Sequence, residues 1–207
     1  MVERSNQIML RLQKTAGTHP DIQQQLATLP RYQCLMFGGL KVLVLRGDPE
    51  SLAGWGLAHE SVAAGNERRL EDWFRESGAD VMVSTHTCLP VLWSGCVQGR
   101  PCVLANNGSS GMGNLNEDTR GLIARISRTA STFEPVAGLV SAAGLHLDLM
   151  PVDYDVSAWL EQFDQLWPAG SSAAISYRQR LLEGTPLSPC DLIFPSSPQS
   201  FLHWRKR

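Results

Sequence analysis

Apolar positions along this chain change their period several times, and each change marks a predicted element. Residues 5–29 carry Ile8, Leu10 and Leu12, then Ile22, Leu26 and Leu29, at partial three- and four-residue spacing among Gln, Arg and Lys. That pattern predicts amphipathic helices packed by one face, interrupted at Gly17-Thr-His-Pro20. Residues 33–37 and 41–45 are short apolar runs separated by Gly38-Gly39, which predicts a hairpin, because two glycines supply the positive φ angles of a tight turn. Residues 51–58 carry little charge and are expected to cover the loop that follows the hairpin. Residues 68–77 place Leu70, Trp73 and Phe74 on one helical face, and Gly78 stands where a helix-ending glycine belongs. The next apolar runs, 81–83, 91–93 and 101–105, are strand-like. Helix, glycine, strand and polar loop in that order are the alternation of a layered α/β protein. Further strands are predicted within 117–126, near 135–140 and over 145–152, with Gly144 at a turn, an antiparallel meander that finishes the sheet. Helices follow over 156–167, where Trp159, Phe163 and Leu166 share a face, and over 176–182. From Pro186 the chain is rich in Pro and Ser and ends Arg205-Lys-Arg207. Residues 1–184 therefore read as one domain and residues 185–207 as a flexible, loosely packed tail.

Composition narrows this further. A chain of 207 residues suffices for one good core, and a net charge of −2 carries no basic stripe for nucleic acid. The five cysteines (34, 88, 96, 102 and 190) are odd in number and lack Cys-x-x-Cys spacing, which argues against a disulfide scaffold or a structural zinc site. Free thiols, no apolar run near the roughly 20 residues of a membrane span, and a polar start without an apolar signal region predict a cytoplasmic protein with no membrane partner.

Three strand-to-loop junctions carry candidate chemistry. Residues 81–83 run into Ser84-Thr-His-Thr-Cys88, residues 101–105 empty into Asn106-Asn-Gly-Ser-Ser-Gly-Met-Gly-Asn114, and residues 41–45 lead to Arg46-Gly47-Asp48. Strand ends of an open α/β sheet face the ligand crevice, so these loops are where a site is expected. His86 and Cys88 are two residues apart, a spacing that allows a weak metal pair or an activated thiolate with His86 as base. The backbone N–H groups around Gly108 and Ser109 form a candidate anion nest. His19 and His59 read as surface residues.

The ordered set of these junctions resembles the carboxyl-terminal part of the calcineurin-like metallophosphoesterases. In that family strands end in His-Gly-Asp, Gly-His-x-His and Asn-x-Gly-Ser; here they read Arg46-Gly47-Asp48, Thr85-His86-Thr87-Cys88 and Asn106-Asn107-Gly108-Ser109, with Arg46 and Cys88 in place of two of the histidines. Asp153-Tyr-Asp155, Trp167-Pro168 and Ser176-Tyr-Arg178 extend the resemblance, to an uncharacterised bacterial subgroup, over residues 5–184. The resemblance implies a truncated four-layer αββα fold: a layered mixed β-sheet core flanked by helices. It implies an ancestral metal-dependent phosphate-ester hydrolase, with Mn, Fe or Zn as the divalent metal. His86 and Cys88 would be the remaining metal ligands, Arg46 and Asp48 a degenerate metal loop, and Asn107, Gly108 and Ser109 the substrate loop. The family's Asp-x-His and Gly-Asn-His motifs do not occur in this chain, so the implied site is incomplete. The alternative expectation is a catalytically inactive domain that binds a small phosphorylated ligand or a protein partner, or that self-associates through an exposed sheet edge.

Overall fold

The computed structural model describes residues 2–141 and 143–195. Its centre is a six-stranded mixed sheet. β1 (Tyr32–Phe37) and β2 (Leu40–Arg46) form the hairpin, with Gly38 and Gly39 at φ of 59° and 84° in its turn. The chain then passes through α3 (His59–Ala63) and α4 (Glu67–Ser77) to β3 (Val81–Thr85), which pairs parallel with β2. β4 (Pro90–Val97) and β5 (Arg100–Asn107) make a second hairpin, and β5 inserts beside β3 in parallel. β6 (Gly121–Ser127), β7 (Ala137–Val140) and β8 (His146–Val152) are antiparallel as expected, but they form a separate sheet in the order β6-β8-β7 rather than a meander finishing the large one, because β8 pairs with both β6 and β7.

The two sheets face each other. Val42, Val81, Leu92, Val103 and Ala105 on one face of the large sheet pack against Leu122, Leu139, Leu147 and Leu149 of the small one. The opposite face carries Leu45, Met82, Trp93 and Leu104 against Leu57, Val62, Leu70 and Phe74, and the Phe74 and Trp93 rings stack at 5.5 Å. β3 and β5 are thus covered on both faces, which is why they read as continuous apolar runs rather than alternating ones. At about 1.5–3 kcal/mol for each large side chain taken fully out of water, these two clusters dominate the stability of the fold.

α1 (Val2–Ala16), α5 (Val156–Leu166) and α6 (Ser172–Glu183) share a third cluster of Ile8, Phe163, Ala173, Ala174 and Leu181. α6 begins earlier than its apolar pattern suggests because the Ser171 side chain caps it, accepting from the Ala174 N–H. The amino-terminal helices depart from expectation. Ile8 is the buried residue of α1, α2 (Pro20–Ala27) has none, and Leu10, Leu12, Ile22, Leu26 and Leu29 face outward. The expected loose tail also differs over residues 185–195. A 3-10 turn (Pro189–Leu192) buries Leu192 completely, and β9 (Ile193–Pro195) pairs parallel with β4 at the far edge of the large sheet. The remainder of that tail, residues 196–207, lies outside the described residues. The strand order is β1-β2-β3-β5-β4-β9, and among the described residues no helix is long and apolar enough to cross a membrane.

Candidate functional site

β2, β3 and β5 are adjacent and parallel, so their carboxyl ends meet. Leu45 pairs with Ser84, Arg46 with Thr85, and Ser84 with Asn106. Side chains and backbone then stitch the loops together. The Gly47 N–H donates to the Thr85 carbonyl (3.1 Å), Ser84 Oγ donates to the Gly47 carbonyl (2.8 Å), and Asn106 Nδ2 donates to Thr87 Oγ1 (2.7 Å). Gly47 sits at φ 74°, and a Cβ there would lie 2.3 Å from the Ser51 carbonyl oxygen, so this tight approach requires glycine.

Asp48 is buried, and both its carboxylate oxygens have partners. Oδ1 accepts from the N–H groups of Glu50 (3.0 Å) and Ser51 (2.9 Å), and Oδ2 from Gly56 (3.0 Å). It therefore works as the clamp of the 48–56 turn. The exposed Arg46 guanidinium donates to the Leu52 carbonyl of the same turn.

His86 and Cys88 occupy backbone conformations unusual for residues with a side chain, at φ 102° and 65°. Each such residue costs about 1–3 kcal/mol and persists only where its surroundings hold it. Here buried Thr87 is tied to Asn106, the Trp55 ring meets the His86 ring edge-on at 5.8 Å, and Arg180 Nη2 donates to the Cys88 carbonyl. His86 Nε2 is enclosed with no hydrogen-bond partner among the described residues. Burial holds the His86 pKa below its ordinary value and the nearby Arg46 charge adds to this, against weaker opposing effects of the Ala53 backbone and Asp48. The imidazole is thus neutral near pH 7. Cys88 Sγ donates to the His86 carbonyl (3.2 Å) rather than facing the ring nitrogen, so the thiol and imidazole are not arranged as nucleophile and base.

The loop expected to meet substrate, around Asn107, Gly108 and Ser109, is internally bonded. Asn107 Nδ2 donates to the Leu122 carbonyl (2.9 Å), fastening β5 to β6. The N–H groups of Gly108, Ser109 and Gly111 go to Asn106 Oδ1, Asn114 Oδ1 and Ser109 Oγ, so these donors of the expected anion nest already have acceptors.

Two residues organise the loops in ways the sequence reading did not assign: Asn114, at the end of the glycine-rich loop, and Arg180. Asn114 is almost wholly buried and binds Ser109 through both its N–H (2.9 Å) and its carbonyl (2.7 Å). Arg180 reaches from α6 to the Gly113 carbonyl (2.8 Å), the Cys88 carbonyl and Asn114 Oδ1 (3.2 Å), joining the 86–88 and 108–114 loops. Burial lowers its pKa, while Cys88, Glu60 and Tyr177 favour its charge. No local signal marks Arg180, since its partners are distant in sequence. His59, expected at the surface, is half-buried, with Nε2 3.0 Å from the Asp191 carbonyl oxygen and its ring 5.1 Å from that of Phe194.

These residues do not fit a dinuclear metal centre. Such a centre holds two cations roughly 3.5–4 Å apart with oxygen and imidazole donors. Here the one carboxylate in position accepts from three backbone N–H groups of its own turn, the Arg46 guanidinium bonds the Leu52 carbonyl of that turn, and the described residues contain no group of three His, Cys, Asp or Glu side chains placed to hold a metal.

No protein-family model matches the chain, and no curated protein matches it. Solved structures do. A metallophosphoesterase from Sphaerobacter thermophilus is similar at 18% identity and a TM-score of 0.48, over 78% of this chain and 60% of its own. A hypothetical protein from Pyrococcus horikoshii is similar at 15% identity and a TM-score of 0.45, over 79% of this chain and 54% of its own. Vps29 from Entamoeba histolytica, complexed with Zn²⁺, is similar at 14% identity and a TM-score of 0.33, over 60% of this chain and 62% of its own. The chain spans less than two thirds of the length of each of these structures. Its structural neighbours thus include metallophosphoesterases.

Proposed function

We propose that this chain is a metallophosphoesterase-like domain that has exchanged metal-dependent hydrolysis for metal-free binding of a small phosphorylated ligand. The carrying observation is the inversion of charge at the loop junctions. The Asp48 carboxylate is locked into its own turn, while Arg46 acts electrostatically on His86 and Arg180 bonds the Cys88 carbonyl. Neither guanidinium takes part in a salt bridge among the described residues. Each carries five N–H donors, more than its hydrogen bonds here occupy, and planar guanidinium groups suit phosphate oxygens.

Calorimetric titration with p-nitrophenyl phosphate, in EDTA and in Mn²⁺, tests this reading, with turnover followed in parallel. Equal affinity in both buffers and no hydrolysis are expected. A charged hydrogen bond is worth about 1.5–3 kcal/mol, so Arg46→Gln and Arg180→Gln, each with native circular dichroism, are expected to weaken binding about tenfold or more. Mn²⁺-dependent hydrolysis would overturn the proposal in favour of a hydrolase, and absent binding would overturn it outright.

A further inference from the structure

β1 is the outermost strand of the large sheet, and all six of its residues are exposed. Its sequence, Tyr-Gln-Cys-Leu-Met-Phe, contains no charge and no proline, and its pairing with β2 is continuous, without a bulge. Edge strands ordinarily carry one of these devices or a cover, because a row of free N–H and C=O groups templates further pairing. The two faces of β1 are open as well. Tyr32 and Cys34 lie on the α4 side over a groove of about 440 Å³ whose walls include Leu43, Leu45 and Trp73. Leu35 and Phe37 lie on the side of the small sheet, where neighbouring Val44 is also exposed. Tyr32 is 64% exposed and Met36 69%. The exposed apolar side chains of β1 (Tyr32, Leu35, Met36 and Phe37) thus flank the open edge on both faces of the sheet.

We infer that β1 pairs antiparallel with β1 of a second copy of this chain, about a two-fold axis normal to the sheet. Such an axis keeps each face of the sheet on its own side. Directly opposed residues share a face, so only residues of like parity can stand opposite each other. The greatest overlap compatible with this rule puts the axis at Cys34 or at Leu35. In the first register Tyr32 stands opposite the partner's Met36 and Cys34 opposite the partner's Cys34. In the second, Cys34 stands opposite the partner's Met36. A second copy answers all three open surfaces together. It supplies a strand for the edge, and it brings its own α4 and its own small sheet to the matching sides, so every layer continues across the seam. A lone extended peptide would satisfy the edge and leave both faces wet.

Sedimentation velocity of the full chain at micromolar concentration tests the pairing. A dimer is expected for the native sequence and a monomer for Leu35→Arg and for Met36→Lys, with unchanged circular dichroism. Should either variant fail to fold, short bis-maleimide cross-linking of the native chain replaces it, with a covalent dimer expected that Cys34→Ser abolishes. A native monomer, a dimer that persists in folded edge variants, or cross-linking that survives Cys34→Ser would each overturn the inference.

Discussion

Asp48 shows how a residue in a catalytic-looking position can be structural. Three backbone N–H groups converge on its carboxylate, and the turn it closes also presents Glu50, whose carboxylate accepts from Trp73 Nε1 (3.0 Å) and Arg69 (2.8 Å). Removing the acceptor leaves donors stranded in a largely buried turn, at about 1–3 kcal/mol for a buried group left unsatisfied. Asp48→Ala is therefore expected to lower the unfolding free energy by about 2–4 kcal/mol, measured by urea denaturation. A metal-ligand role would instead leave the metal-free stability little changed. His86 supplies a second prediction at this scale. Its folded pKa is held down by burial and then by Arg46, so the unfolded chain, titrating near about 6.5, takes up the proton first as pH falls. The sign follows: the His86 contribution to stability is complete above that value and is lost as pH drops through it. Arg46→Gln is expected to raise the His86 pKa and narrow the window of loss, observed by NMR titration of the imidazole Cε1–H. An unchanged titration would remove Arg46 from the vicinity of the ring.

Among elements, β9 and the turn before it illustrate structure without periodicity. Pro189 opens the 3-10 turn, and Ser188 and Asp191 close a reciprocal cap in which Asp191 Oδ2 accepts from both the N–H and the hydroxyl of Ser188 (2.7 Å each). This presses Leu192 into the core between the sheets, where it is wholly buried, and His59 holds the Asp191 carbonyl from α3. A three-residue strand is too short for any alternation to be seen, and Pro and Ser ordinarily signal a loop. Leu192→Ala is expected to destabilise the fold by about 2–5 kcal/mol through the cavity it leaves, measured by chemical denaturation, and to expose residues 186–192 to limited proteolysis. A change under about 0.5 kcal/mol, the scale of a surface substitution, would show the segment to be merely laid on the surface. α1 and α2 teach the converse. Their apolar spacing is helical, and the helices form, but spacing does not say whether a partner exists, and most of that face stays in water.

For the whole molecule, the alternation of elements, the Gly38-Gly39 hairpin and the antiparallel run of strands after residue 117 were legible in the sequence, whereas the separation of that run into a second sheet of order β6-β8-β7 was not. The legible features rest on local chemistry: apolar period, turn glycines, and chain segments that suit one backbone state. The convergence of the Arg46, His86 and Asn106 loops was also legible, because strands followed by polar loops in an α/β chain deliver those loops to one end of a parallel sheet. The state of the site was not. Which N–H groups remain free, whether Asp48 faces a ligand or its own turn, and where Arg180 reaches depend on contacts between segments far apart in the chain. The Arg180 guanidinium comes to the Cys88 carbonyl from α6 because Leu181 and Ala174 anchor that helix in the third cluster. No window of sequence contains both ends of such a contact. Tertiary structure alone also decided that β1 is an edge open on both faces, since an apolar strand reads the same at a sheet centre as at its border. The physical reason is common to all of these: local sequence sets what a segment can form, and only the packing of the whole chain sets what is left for its polar groups and apolar faces to meet.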